Sequence, residues 1–157
     1  AYAGISPRTD RNLFLKFCAE QDFRPVYFHA TQTVDGVQLP IYHTNVMMCV
    51  ADKYAVICLN TIQDDSERNM VVAELQNSGK EIVEISVEQM NSFAGNMLQL
   101  KNENEEKFLI MSQSAYDSLE KNQIEKLESF NKLLVIPVPT IEKNGGGSVR
   151  CMIAEVF

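Results

Sequence analysis

One pattern recurs three times along the 157-residue chain: an apolar strand, a polar cap, an amphipathic helix and a second apolar strand. Its first copy runs from Tyr2–Ile5 through a helix near Asn12–Gln21 to Pro25–His29. The second runs from Tyr54–Leu59 through Glu67–Asn77 to Glu81–Ile85. The third runs from Phe108–Met111 through helical segments between Ala115 and Phe130 to Leu133–Val138. Leu13, Phe14, Phe17 and Cys18 fall at helical spacing, as do Met70, Val71, Glu74 and Leu75 less cleanly. Asp10 and Asp65 are expected to cap their helices, and Gly79 to terminate the second. A further short strand stands between copies, at Asn45–Val50, Asn96–Leu100 and Cys151–Val156, so each unit reads strand, strand, helix, strand. A repeat of this kind, roughly fifty residues long, points to stacking of one supersecondary unit. His43, Asn96 and Cys151 lie 53 and 55 residues apart, at the mouths of equivalent strands. Side chains arriving from equivalent strand ends converge on a shared site.

Bulk properties narrow the partners. A formal charge of −7 argues against a phosphate backbone, which calls for clustered Lys and Arg. No apolar run approaches the ~18 residues of a membrane helix. Cys18, Cys49, Cys58 and Cys151 show no paired metal-ligand spacing, so no zinc or other metal site is expected. Three of them sit in apolar patterns, as reduced thiols do in a cytoplasmic protein. The chain opens without methionine in what already reads as a strand, and is expected to be a fragment of a longer protein.

Chemistry is concentrated at the strand mouths. Gly145-Gly146-Gly147-Ser148-Val149-Arg150-Cys151 places a thiol after a glycine run and beside a cation. Glycines serve where backbone passes close to a neighbour or takes positive φ, and a thiol near positive charge ionises more readily. A flexible turn followed by a small buried residue is the plainer alternative. His43 holds the repeat position equivalent to Cys151, and imidazole is the usual proton acceptor for a thiol or an attacking water. His29 has no such counterpart and is expected to be structural. Arg8 follows the first strand, where it can pair with a substrate carboxylate or serve as a surface charge. Asn96 can bind ligand or make an Asx turn.

Taken in order, Gly4-Ile5-Ser6-Pro7-Arg8-Thr9, His43-Thr44-Asn45, Phe93-Ala94-Gly95-Asn96-Met97-Leu98 and the glycine–Cys151 segment resemble the guanidine-modifying superfamily of pentein fold. The chain is most similar there to the amidinotransferase-like, arginine-deiminase-related group that includes citrulline-utilisation hydrolases. The resemblance covers essentially the whole chain. It implies an α+β fold in which residues 1–157 form a single domain, the C-terminal part and about half of a five-bladed propeller of ββαβ modules. It implies that Cys151 is the nucleophile, His43 the general acid/base and Arg8 the carboxylate ligand, with no cofactor. Asn45 stands where several relatives carry an aspartate that grips the substrate's guanidinium, which leaves room for a less cationic, ureido substrate. The acidic residue that relatives carry in a Glu-Gly segment is expected to precede Ala1.

The expected function is therefore hydrolysis at the guanidinium or ureido carbon of a small arginine-related molecule through a covalent Cys151 adduct. Amidino transfer to an amine, or a non-enzymatic binding module on the same fold, are the alternatives. Alone, the fragment is expected to be inactive and to self-associate or pair with the missing half.

Overall fold

A computed structural model describes residues 1–154. The first module contains β1 (Tyr2–Gly4), α1 (Arg11–Glu20) and β2 (Val26–Phe28), with β1 and β2 parallel. A hairpin follows, β3 (Thr31–Val34) and β4 (Val37–Pro40). Its Asp35-Gly36 turn takes positive φ at both positions, 50° and 77°, which is the two-residue geometry that matches strand twist. This hairpin lies outside the fifty-residue repeat, and the Asp-Gly pair is its sequence signal.

The next two modules share one topology. In the second, β5 (Met48–Val50) is antiparallel to β6 (Tyr54–Ile57), which leads through α2 (Asp65–Asn77) to a parallel β7 (Glu81–Glu84). After α3 (Val87–Asn91), the third repeats the scheme. Here β8 (Leu98–Lys101) is antiparallel to β9 (Lys107–Ser112), which leads through α4 (Gln113–Ser118) and α5 (Lys121–Glu128) to a parallel β10 (Lys132–Ile136). A last helix, α6 (Pro139–Gly145), carries Pro in its first turn and ends as Gly146 takes φ 64°. The strand–strand–helix–strand expectation thus holds for two complete modules.

Burial explains the order within each sheet. All four residues of β6 are buried, as the central strand of a mixed sheet requires, and so are the last four of β9. Val71 and Leu75, four apart, turn the inner face of α2 onto the core. Tyr54, Ile57, Leu75, Met97, Leu109, Met111 and Leu127 are among the fully buried side chains of a core that runs through the modules. Buried Asn131 donates to the Tyr54 hydroxyl at 2.8 Å, which satisfies a polar atom where the third module packs on the second.

Several local expectations need correction. The α2 cap is Asp64, whose Oδ1 accepts from the Glu67 N–H at 2.9 Å; Asp65 is the first helical residue. Gly79 does lie just past the helix in the left-handed region, with φ 75°. The apolar stripe of α1 splits. Cys18 is buried and Phe14 half-buried, but Leu13 is 67% exposed and Phe17 49% exposed. The segment expected as a strand from Cys151 begins instead as a 3-10 turn, Val149–Met152, closed by the Cys151 N–H on the Ser148 carbonyl at 3.1 Å. The last two residues of that expected strand, 155 and 156, lie outside the described residues. Similarly, Thr44–Val46 forms a 3-10 turn, and the strand starts only at Met48.

Candidate active site

Four loops meet at one end of the modules. They are the Ser6–Thr9 turn after β1, the His43–Val46 turn before β5, the Phe93–Met97 loop before β8, and the segment from α6 to Cys151. Their side chains line a cleft of about 670 Å³ that includes Arg8, Tyr42, His43, Asn45, Asn96, the three consecutive glycines and Cys151. All five residues singled out from the sequence therefore stand around one cavity.

A steric constraint sets the spacing of two of these loops. A Cβ at position 95 would fall 2.3 Å from the Val46 carbonyl oxygen, so only glycine permits this approach. The next residue uses the proximity. Asn96, 4% exposed, donates through Nδ2 to the Asn45 carbonyl and to Cys151 Sγ, both at 3.3 Å. Its Oδ1 accepts from the Arg150 N–H at 3.2 Å. One amide thus joins the His43 turn, its own loop and the cysteine loop. Asn96 lines the cleft, but its polar atoms are held by protein partners rather than left open to a ligand.

The thiol itself is exposed. Asn45 Nδ2 stands 3.8 Å from Sγ. The glycine run divides its duties: Gly146 takes the left-handed φ, whereas a Cβ on Gly147 would lie 3.1 Å from Sγ. Arg150, adjacent in sequence, does not reach the thiol as expected. The 3-10 turn sends its guanidinium the other way, where Nη1 donates to the Met48 carbonyl at 3.2 Å. Cys49 and Cys58 are buried, and burial pushes their thiols up to about 11; in an apolar interior the thiolate is disfavoured.

Other side chains of the cleft stack on one another. The Arg8 guanidinium lies 4.8 Å from the centre of the Tyr42 ring, a cation–π arrangement. Tyr42 meets the His43 ring edge-on, with centroids 4.8 Å apart. His29 does not line this cleft; its Nδ1 pairs with Glu67 Oε1 at 2.9 Å and its backbone N–H donates to the same carboxylate. Gln32, Met90, Asn91 and Phe93 also line the cleft and were not anticipated. Phe93 holds φ 67°, a conformation costly for an aromatic residue and often found beside functional sites. Its sequence carries no signal for that. Among the described residues no Asp or Glu lines the cleft, and no group of three His, Cys, Asp or Glu side chains is placed to hold a metal ion.

The family model for N,N dimethylarginine dimethylhydrolase, eukaryotic, matches residues 1–157. The chain belongs to this dimethylarginine dimethylhydrolase family. It is thereby a member of the guanidine-modifying pentein superfamily. A comparison with curated proteins finds no match. Among solved structures it is similar to ArgZ, an arginine dihydrolase from the ornithine-ammonia cycle in cyanobacteria, with 18% identity and a TM-score of 0.67 over 96% of this chain and 21% of that one. The N-terminal domain of ArgZ covalently bonded to a reaction intermediate gives 18% identity and 0.66, over 96% of this chain and 48% of that domain. AgrE in a ternary complex with ornithine and NAD+ gives 16% and 0.66, over 96% and 19%. These likenesses show a shared mixed α/β fold with small sheets. The chain spans only part of each neighbour.

The site of this dimethylarginine dimethylhydrolase family member makes a direct prediction about its thiols. With iodoacetamide at neutral pH, Cys151 should alkylate at least about tenfold faster than Cys18, Cys49 or Cys58 in the folded protein. Peptide mass spectrometry resolves the four rates, and equal rates at all four would contradict the exposure and environment described.

Proposed function

We propose that the protein containing this chain is a cysteine-dependent hydrolase acting on the guanidinium or ureido carbon of a small arginine-related molecule. The observation that carries this reading is the placement of Cys151, His43, Arg8 and Asn45 around one cleft. Membership of a dimethylarginine dimethylhydrolase family supports it, as does the covalent intermediate in the N-terminal domain of ArgZ.

In this reading the Cys151 thiolate attacks the planar substrate carbon, forming a C–S bond and a tetrahedral centre. That centre collapses with cleavage of a C–N bond, and His43 gives a proton to the departing nitrogen. The adduct remains on sulfur. His43 then takes a proton from water, whose oxygen attacks the same carbon; breaking the C–S bond returns the thiolate. Arg8 holds the substrate carboxylate at the far end of the cleft, where Tyr42 stacking restricts its guanidinium. Asn96 holds the His43 turn and the cysteine loop in register.

Asn45 bears on the choice of substrate. Its amide donates hydrogen bonds and carries no charge, so it suits a ureido oxygen better than a cationic guanidinium. For a cationic substrate, the carboxylates would come from the remainder of a five-bladed ring, of which this chain forms about half and the C-terminal part. The isolated chain would then be inactive and would pair with that remainder, whose packing would cover the open Leu13 and Phe17 face of α1. The free cysteines suit a reducing cytoplasm.

Two substitutions in the complete protein test the reading. Cys151→Ala should lower turnover by more than about 10³-fold while preserving the circular-dichroism spectrum; unchanged product formation would exclude the thiol as nucleophile. Asn45→Asp should raise kcat/KM for guanidine substrates relative to ureido ones by roughly ten- to hundredfold, the worth of a charge-assisted contact. An unaltered ratio would remove Asn45 from substrate selection.

A further inference from the structure

Glu142, on α6, has both carboxylate oxygens engaged. Oε1 accepts from the Ser148 hydroxyl and Oε2 from the Ser114 hydroxyl, each at 2.6 Å. Ser114 lies in the first turn of α4 (Gln113–Ser118), the helix that directly follows the central strand β9. Ser148 is fully buried and begins the turn that carries the thiol, since its carbonyl accepts the Cys151 N–H at 3.1 Å. Without such a tie Gly146 and Gly147, between the end of α6 and Ser148, would leave this loop conformationally free.

We propose that Glu142 is a positioning residue: its carboxylate straps the glycine loop to α4 and thereby fixes the turn that presents Cys151 to the cleft. In its bearing on catalysis this rests on the hydrolase reading above. The chain of contacts is continuous, from β9 and α4 through the Ser114 hydroxyl and the Glu142 carboxylate to Ser148 and the Cys151 amide. Asn96 fixes the same turn from the other side, through the Arg150 N–H and Sγ. The two anchors hold the turn from opposite ends, and removing either frees one side of it.

The local chemistry keeps the strap ionised. Burial pushes the Glu142 carboxyl up, but the hydroxyls of Ser112, Ser114 and Ser148 outweigh it and hold the group below the usual carboxylate range. A carboxylate receiving hydroxyl donors makes stronger hydrogen bonds than a neutral acceptor does. Glutamine can replace part of this geometry, because its oxygen still accepts from one serine; alanine replaces none.

Hydrogen–deuterium exchange across residues 145–152, alkylation of Cys151 by iodoacetamide, and kcat and KM in the complete enzyme test the proposal in wild type, Glu142→Ala, Glu142→Gln and Ser114→Ala. Glu142→Ala should speed exchange at the Cys151 amide by about tenfold or more, change its alkylation rate, and lower kcat by roughly ten- to hundredfold with KM within about threefold. Glu142→Gln should recover part of both losses. Ser114→Ala, which leaves the carboxylate in place, should reproduce the loosening in milder form and serves if Glu142→Ala does not fold. Wild-type exchange in both Glu142→Ala and Ser114→Ala would overturn the strap. Faster exchange with unchanged kcat would overturn its role in positioning the thiol. A Cys151→Ala enzyme that keeps its turnover would instead overturn the hydrolase reading, and the exchange result would still decide the strap.

Discussion

The approach of the Gly95 backbone to the Val46 carbonyl determines how close two modules of this fold come to each other. Any side chain at position 95 would drive the loops apart, and Asn96 would no longer span from the Asn45 carbonyl to the Cys151 sulfur. Because His43 and Asn45 ride on one loop and Cys151 on another, that single clearance sets the geometry of the proposed catalytic pair. The packed core behind it, from Tyr54 through Met97 to Met111, makes the clearance rigid rather than adjustable.

Environment separates the cysteines more sharply than sequence neighbours do. Cys49 lies in β5 and Cys58 directly follows β6, and burial suppresses their ionisation. Cys151 sits exposed on a short turn with amide donors around its sulfur. Arg150, the obvious electrostatic partner on paper, is turned toward β5 by the turn's tight winding. The Asn45 and Asn96 amides, which are fixed dipoles, supply the side-chain donors that face the sulfur.

Much of this was legible in the sequence because the repeat brings chemically distinct residues to equivalent positions. His43, Asn96 and Cys151 could be aligned by spacing alone, and the strands and helices of the second and third modules follow from their apolar runs. Other features depend on where the chain turns in three dimensions. Adjacency along a strand and adjacency along a 3-10 turn send side chains in different directions, so sequence alone does not reveal that the Arg150 guanidinium bonds the Met48 carbonyl. Asp64-Asp65 offers two equivalent carboxylates one residue apart, and only backbone φ and ψ make Asp64 the cap. The clearance at Gly95, the left-handed Phe93 and the Glu142–Ser114 contact join segments distant in sequence, so no local pattern announces them. The hairpin between β3 and β4 was legible, through Asp35-Gly36, but was overshadowed by the repeat.

The most direct measurement is the mass of the protein during turnover. A complete enzyme quenched in acid within milliseconds of mixing with a guanidine or ureido substrate should carry the mass of a covalent adduct, and peptide mapping should place it on Cys151. An adduct confined to another residue, or turnover that leaves the protein's mass unchanged at every quench time and in slowed His43 variants, would contradict a Cys151 nucleophile.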